Sequence, residues 1–439
     1  MSGQVVVVHM AVWGESFVRR AQMYGFASML APRNFPLVSR DREIVLEIRT
    51  THEDIARLEG LPEIRDLHNF ANIEIIAFTE AAQNANYSDM TAQFLATTRR
   101  SSAERAILTY HQPDVIMADG SFASLVDLAR EHRAVVGWGS RIQEEGLDVQ
   151  LERYRDGLAL TIPPRELVKL QIANWHSEML GYRITELITP SLPINLIWQS
   201  PDASQALVRA HTMAPLAYNF EKISSDEVEE YIQRLSRTHM TQDHTSTQGP
   251  ILGDLAGSYL INNSDDFFWT SPTDSQRFAT GNPSHSIPSE RLSLAATVEA
   301  YQQMPWVDKY ARYYVTQPIH LRTADNLEWF RSVAYETQEV VTRQSMLGHH
   351  QNQLGHHQNQ ELSKIQNQEL SKIKTIDFIL KKFRILILRF TLTSLILATY
   401  RWSVKTTFGR WLRAWMAIHV PNLYSRINSY IRNAELVSY

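Results

Sequence analysis

The stretch DVIMADGSFASL, residues 114–125, places an aspartate, Asp119, and a hydroxyl, Ser121, directly after a short apolar run. A carboxylate at the tip of a strand can hold a hard divalent cation, because such ions prefer oxygen ligands. The cation then offsets the charge that develops on a departing diphosphate. Asp-X-Asp suits that task best, and here the second position is Ser121, a weaker ligand than a carboxylate. The same letters also describe a strand-ending turn, with Ser121 capping the helix that follows. Spacing alone leaves both open.

Three further acids and bases could take part. Asp265 and Asp266, in NNSDDFFW, could accept the proton of an attacking hydroxyl. Adjacent residues of a strand point to opposite faces, so both serve one ligand only where the chain turns. Arg49 could contact a phosphate or form an ordinary ion pair. There is no cysteine, which excludes disulfides, thiolate zinc sites and thiol nucleophiles.

The elements that must position these groups read as alternating strands and helices over the first 140 residues or so. Strands are expected at QVVVVHMAV, REIVLEIRT, NIEIIAFTE, DVIMADG and AVVGWGS, with amphipathic helices between them. That alternation implies βαβ units, hence an α/β protein with a mainly parallel sheet and helices on both faces. In such sheets ligands bind beyond the carboxyl ends of the strands. Four polar groups are expected there: Trp13-Gly14-Glu15, Arg49-Thr50-Thr51, Thr79-Glu80 and Asp119-Gly120-Ser121. Residues 151–240 read as mostly helical, an insertion in a domain covering 1–345.

The C-terminal extension differs in character. LGHHQNQLGHHQNQ is a seven-residue repeat made twice, and residues 346–375 read as a polar, low-complexity linker. Its histidines, His349, His350, His356 and His357, read as solvated rather than metal-binding. Residues 376–439 form a basic, aromatic helical tail whose longest uncharged run, FTLTSLILATY, is too short to cross a bilayer unaided. Such a tail suits an anionic membrane surface, or packing on the body or on a second subunit in a homo-oligomer. The N-terminus has no basic region before its apolar run, so no signal peptide is expected. A cytoplasmic protein, peripheral at the inner membrane, fits these features.

The segments VVVVHMAVWGESFV, LAPRNFPLV, PDVIMADGSFASLVDLAREHRAVVGWGSRI and TIPPRELVKL resemble an uncharacterised group of bacterial proteins. That group is similar to nucleotide-diphospho-sugar transferases of the glycosyltransferase A fold, and the likeness covers roughly residues 4–335. It implies that Val5–Val8 and His9 to Trp13 frame a nucleotide base and that Asp119 faces the diphosphate. It also implies that His211, in VRAHTMAPLAY, completes a site for manganese or magnesium with Asp119. His211 reads equally as a core or surface histidine. A nucleotide sugar is then the expected partner.

The formal net charge of −4 argues against nucleic acid as a partner, since phosphate binding draws on a basic surplus. A dinucleotide-dependent oxidoreductase is disfavoured because HMAVWGES stands where Gly-X-Gly-X-X-Gly would follow the first strand. The rival from another class is a non-catalytic interaction protein that uses the sheet as a scaffold and the tail for attachment. The missing second acid favours that rival.

Overall fold

The computed structural model describes residues 3–78, 87–184, 195–238, 251–253, 257–276, 294, 298–299 and 308–343. These belong to a compact unit, Met1–Asn352. The repeat and the basic tail expected over 346–439 lie outside the described residues, as do Thr79 and Glu80.

The central sheet begins with a run of valines. In β1 (Val6–Ala11) every residue is buried, which a strand achieves only when both faces of its sheet are covered. Val7 joins one core cluster with Tyr24, Val45, Phe94 and Leu108, whereas Val6, Val8 and Met10 join another with Phe26, Leu46, Phe122 and Leu125. The alternation is the two-residue period of a strand, with a core on each side. Each fully buried valine or leucine contributes about 1.5–3 kcal/mol.

Strands β2 (Ile44–Thr51) and β3 (Asn72–Phe78) extend the sheet to one side of β1, all in parallel, and β4 (Ile107–Tyr110) adds in parallel on the other side. Beyond β4 lie β12 (Ala214–Asn219), β6 (Ala134–Gly137) and β13 (Ser258–Leu260). The order is β13-β6-β12-β4-β1-β2-β3. Only β12 runs against its neighbours, pairing antiparallel with both β4 and β6. The expected mainly parallel α/β sheet is therefore present, with one antiparallel strand threaded through it.

Helices cover both faces. The chain leaves β1 through α1 (Glu15–Arg20), a π-helical segment Ala21–Phe26, and α2 (Ala27–Met29), followed by α3 (Phe35–Val38). Then come α4 (His52–Glu59), α5 (Pro62–Leu67), α6 (Tyr87–Ala103) and α7 (Ser121–Glu131). Among the described residues, no helix is long and apolar enough to cross a membrane.

Three expectations about the elements need correction. The fourth sheet strand is ILTY, residues 107–110, in the stretch between NIEIIAFTE and DVIMADG where helix is expected. DVIMADG instead supplies only β5 (Ile116–Met117), in a separate three-stranded sheet with β14 (Trp269–Thr273) and β7 (Ser140–Gln143). AVVGWGS divides in the same way: β6 stays in the main sheet and the following residues enter β7. ILTY is too short to carry a period that would distinguish strand from helix, and no local pattern says which sheet a short buried strand joins.

The described residues of 151–240 are not mostly helical. They contain the hairpin β8 (Arg155–Asp156) and β9 (Ala159–Leu160), then β10 (Asn195–Gln199), β11 (Gln205–Ala210) and β12. Helices α8 (Leu147–Leu151), α9 (Pro164–Ala173), α10 (Ser177–Leu180) and α11 (Ser225–Thr238) are interspersed among or beside them. Strand β11 pairs antiparallel with β10 and with β15 (Ile319–Arg322), which follows α12 (Lys309–Thr316). Arg209 of β11 is fully buried and is satisfied by helix ends rather than by an acid. Its guanidinium donates to the carbonyls of Val315, Thr316 and Ala334 and to the side chains of Thr337 and Gln338. Burial pulls its pKa down to about 10.

Candidate active site

The strand order reverses at β1, whose two neighbours are β2 and β4. A crevice is expected outside the carboxyl ends at such a point. On the β2 side, Gly14 adopts φ 79°, and a β-carbon there would meet nothing within 4 Å. Asp54 fixes this turn by accepting the Gly14 N–H at 2.6 Å and the Thr51 hydroxyl at 3.1 Å, while pairing with Arg57. Trp13 is half-buried beside it, edge-on to Phe78 with 5.2 Å between ring centroids. This rim is open backbone bordered by an aromatic ring.

On the β4 side a cavity of about 260 Å³ opens. It is reached from the carboxyl ends of β4 (Gln112) and β6 (Trp138, Gly139) and from the amino end of the antiparallel β12 (Thr212, Met213, Ala214), so all three strands deliver their loops to one edge. The small sheet adds Ser140 and Arg141 of β7 and Trp269 and Ser271 of β14. Among the described residues lining it, Glu178 is the only carboxylate.

Local sequence explains how Glu178 arrives there. Helix α9 stops at Ala173, and Asn174 turns its side-chain amide back to the carbonyl of Leu170. The chain then bridges to the small sheet, Trp175 against Ile142. His176 restarts a helix: its Nδ1 accepts the Glu178 N–H at 3.2 Å, while Nε2 lies 3.0 Å from the carbonyl of Asp274. The tautomer that satisfies both carries its proton on Nε2. Glu178 thus sits on a four-residue helix anchored at its first turn.

Arg141 Nε lies 2.9 Å from Glu178 Oε2, and the Tyr182 hydroxyl donates to Oε1 at 3.3 Å. Burial, then the neighbouring Glu178 charge, raises the Tyr182 pKa, so the phenol keeps the proton it donates. No hydrogen-bond donor is aligned on Oε2 among the described residues. Across the cavity, Trp269 is 3% exposed and its Nε1–H also has no acceptor among them. Trp138, by contrast, donates its Nε1–H to Asn195 at 3.1 Å.

The residues singled out from sequence fall into different settings. Asp119 follows β5, not a strand of the main sheet, and its Oδ1 accepts the backbone N–H of Arg33 at 2.8 Å. Ser121 is buried, with its hydroxyl 3.4 Å from the Phe268 carbonyl and accepting the Phe268 N–H at 3.1 Å. Asn34, rather than Ser121, caps α7 by accepting from Gly120 and Phe122.

His9 is wholly buried, its ring stacked on Tyr110 and its Nδ1 2.8 Å from the Thr97 hydroxyl. Burial and then nearby Arg49 lower its pKa to about 3. Arg49 donates to Glu47 at 2.6 Å, to Thr97 and to Gln93, the ion-pair reading of that residue. His211 is fully buried just before Thr212, which lines the cavity. Asp265 is clamped between Arg165 and Arg322; hydrogen bonds from these two hold its pKa down against its partial burial. Asp266 is pushed up by burial and by Asp265. Neither acid lines the cavity.

Among the described residues, no three His, Asp or Glu side chains lie close enough to share a metal ion. Of the two residues expected to hold a metal, Asp119 serves the Arg33 turn and His211 is fully buried.

No family model matches the chain, and no curated protein matches it. Several solved structures share some of its shape. Mouse xyloside xylosyltransferase 1 is 10% identical, with a TM-score of 0.30 over 60% of this chain and 87% of that one. The bifunctional glycosyltransferase WbbM is 10% identical, with a TM-score of 0.29 over 60% of this chain and 39% of that one. Residues 1–349 of S. aureus TarS, in complex with UDP-GlcNAc, are 10% identical, with a TM-score of 0.29 over 72% and 66%. In a longer TarS structure the match spans 22% of that chain. At such identities and TM-scores these likenesses assign no activity to this chain.

Proposed function

We propose that the chain is a glycosyltransferase-like enzyme of glycosyltransferase A type, moving a sugar from a nucleotide-sugar donor to an acceptor hydroxyl. One observation carries this reading: a cavity with a single, anchored carboxylate opens at the carboxyl edge of a mainly parallel sheet, beside the point where the strand order reverses. The sequence resemblance over residues 4–335 supports the same class.

In this reading the nucleotide lies along the rim formed after β1 and β2, where Trp13 offers a ring and Gly14 leaves the backbone approachable. The acceptor enters the cavity. Its hydroxyl oxygen bonds to the anomeric carbon and its proton passes to Glu178, while the bond from that carbon to the phosphate oxygen breaks and the diphosphate leaves with the electron pair. Arg141 and Tyr182 hold the carboxylate for that task. A manganese or magnesium ion would offset charge on the diphosphate. The residues described here do not form a ligand set for one, so no step is assigned to it.

A ligand-shift screen tests the proposal. UDP, GDP, UDP-GlcNAc and other nucleotide sugars are added with and without manganese, and the melting temperature of the full chain is read. Stabilisation by a nucleotide diphosphate that weakens on Trp13→Ala supports the reading. A chain indifferent to every nucleotide would remove it and leave the scaffold protein, with tail-dependent liposome binding as the activity to measure.

A further inference from the structure

Two buried polar atoms of opposite character stand at the cavity beside β4: Trp269 Nε1–H has no acceptor among the described residues, and Glu178 Oε2, ion-paired to Arg141 Nε at 2.9 Å, has no aligned hydrogen-bond donor there. Trp269 Nε1–H can only donate, and Glu178 Oε2 can only accept. Leaving a buried donor unsatisfied is costly, so a ligand that accepts from Trp269 is favoured, and one that also donates to Glu178 more so. Gly139 keeps the approach to Trp269 clear: a β-carbon there would stand 3.6 Å from Nε1, and Gly139 itself lines the cavity.

The charges point the same way. Among the described residues lining the cavity, Glu178 is the only carboxylate and Arg141 the only strong base, and they pair with each other at 2.9 Å. An anionic group placed against this wall would face the like charge of Glu178, whose attraction for Arg141 is already met by the pair. A hydroxyl faces no such conflict. It accepts from Trp269 and donates to Glu178, and the rings of Trp138, Trp269 and Tyr182 offer apolar surface for the carbon face of a ring.

We infer that this cavity is an acceptor subsite for an uncharged sugar ring. Trp269 and Glu178 form the donor–acceptor pair that reads its hydroxyls and discriminates against uronic acids and phosphorylated rings. The inference rests on the transferase reading for the word acceptor, but not for the binding itself.

The probe is a panel of methyl glycosides of neutral hexoses and N-acetylhexosamines, set against methyl hexuronides and hexose phosphates. Binding to the full chain is measured by saturation-transfer NMR and calorimetry. Neutral glycosides should bind and charged ones should bind at least about tenfold more weakly. Trp269→Phe, which keeps the ring and loses the N–H, should weaken neutral glycosides about three- to tenfold. Gly139→Ala, whose added carbon meets only ordinary contact distance, should do the same with an unchanged melting temperature.

The subsite is overturned if no neutral glycoside binds, if hexuronides bind equally well, or if both variants bind like the parent. These failures are separable from failure of the transferase reading, which appears as an absent response to UDP and GDP. Glycoside binding without any nucleotide response would keep the subsite and discard the transferase.

Discussion

Glu47 and Glu178 are both carboxylates held by arginine, and they differ in what is left over. Glu47 is wholly buried on β2 and is paired to Arg49 at 2.6 Å, to Arg100 at 3.2 Å and to the Thr97 hydroxyl; Arg100 is shared in turn with Glu74. Each of its oxygens is engaged, and His9 closes the cluster through the same Thr97 hydroxyl. Glu178 keeps one oxygen without an aligned donor and about a fifth of its side chain exposed, 21%, beside a cavity. An acid consumed by its neighbours holds elements together. An acid with capacity to spare can act on something else.

The first way to break this contrast is Glu178→Gln. Transfer or hydrolysis of the nucleotide sugar should fall about 10²–10⁴-fold, the range expected for loss of a general base. The melting temperature should change little, because the amide can still accept from Tyr182. The companion change Asp119→Asn preserves an acceptor for Arg33 N–H and should leave the rate within about twofold. Equal losses from both changes would move the active carboxylate back to the β5 turn.

Glu47→Ala should do the reverse. Removing one partner of a buried ion pair costs about 3–5 kcal/mol, and a second cation, Arg100, is also left short of its acceptor. Urea unfolding should show the loss, while the fraction that remains folded binds glycosides as the parent does. A loss of binding without a loss of stability would erase the distinction between the two clusters.

A smaller effect comes from pH. The folded pKa of His9 is lowered to about 3, against 6.5 for a free ring. Below about pH 6.5 the unfolded chain binds a proton that the folded chain refuses. Stability therefore falls with pH from about 6.5 toward 3, at about 1.4 kcal/mol per pH unit for one such group. His111 and His320, each lowered to about 4 mainly by burial, add to the slope over most of that window. In His9→Gln the urea midpoint should decline less steeply between pH 7 and pH 5. An unchanged slope would mean that the Glu47 cluster does not exclude the proton.

Much of the architecture was legible in the sequence, and the reason is local. VVVVHMA, IVLEIRTT and NIEIIAF are β-branched runs that have little alternative to strand, and helical periods stand between them. ILTY was misread because a strong helix runs almost into it, and DVIM because a buried run of either kind looks the same. That slip relocated Asp119 from the main sheet to a small one.

The cavity was not legible at all. Gln112, the run Trp138 to Arg141, Glu178, Asn195 and Trp269 come from five separate stretches that pack side by side only after long-range strand pairing, and no spacing announces them. The sole local hint at Glu178 is the Asn174–Trp175–His176 break, which splits what looks like one helix into two. Asp119, Asp265 and Arg49 stood out in sequence by type and position, and each turned out to be committed to a turn or an ion pair.

The antiparallel strand has a consequence for how the molecule is made. Strands β4 and β6 leave the ribosome early, yet they do not pair with each other; β12, synthesised much later, fills the slot between them. Until it arrives, each presents an unpaired edge of a strand that is buried in the finished sheet, the kind of surface that sticks to a neighbouring chain. The same strand brings Thr212, Met213 and Ala214 to the cavity, so the pocket cannot exist on a nascent chain that stops short of it. Closure of the gap in the sheet and arrival of one wall of the cavity are therefore a single step, with Trp269 and Ser271 of β14 still to follow.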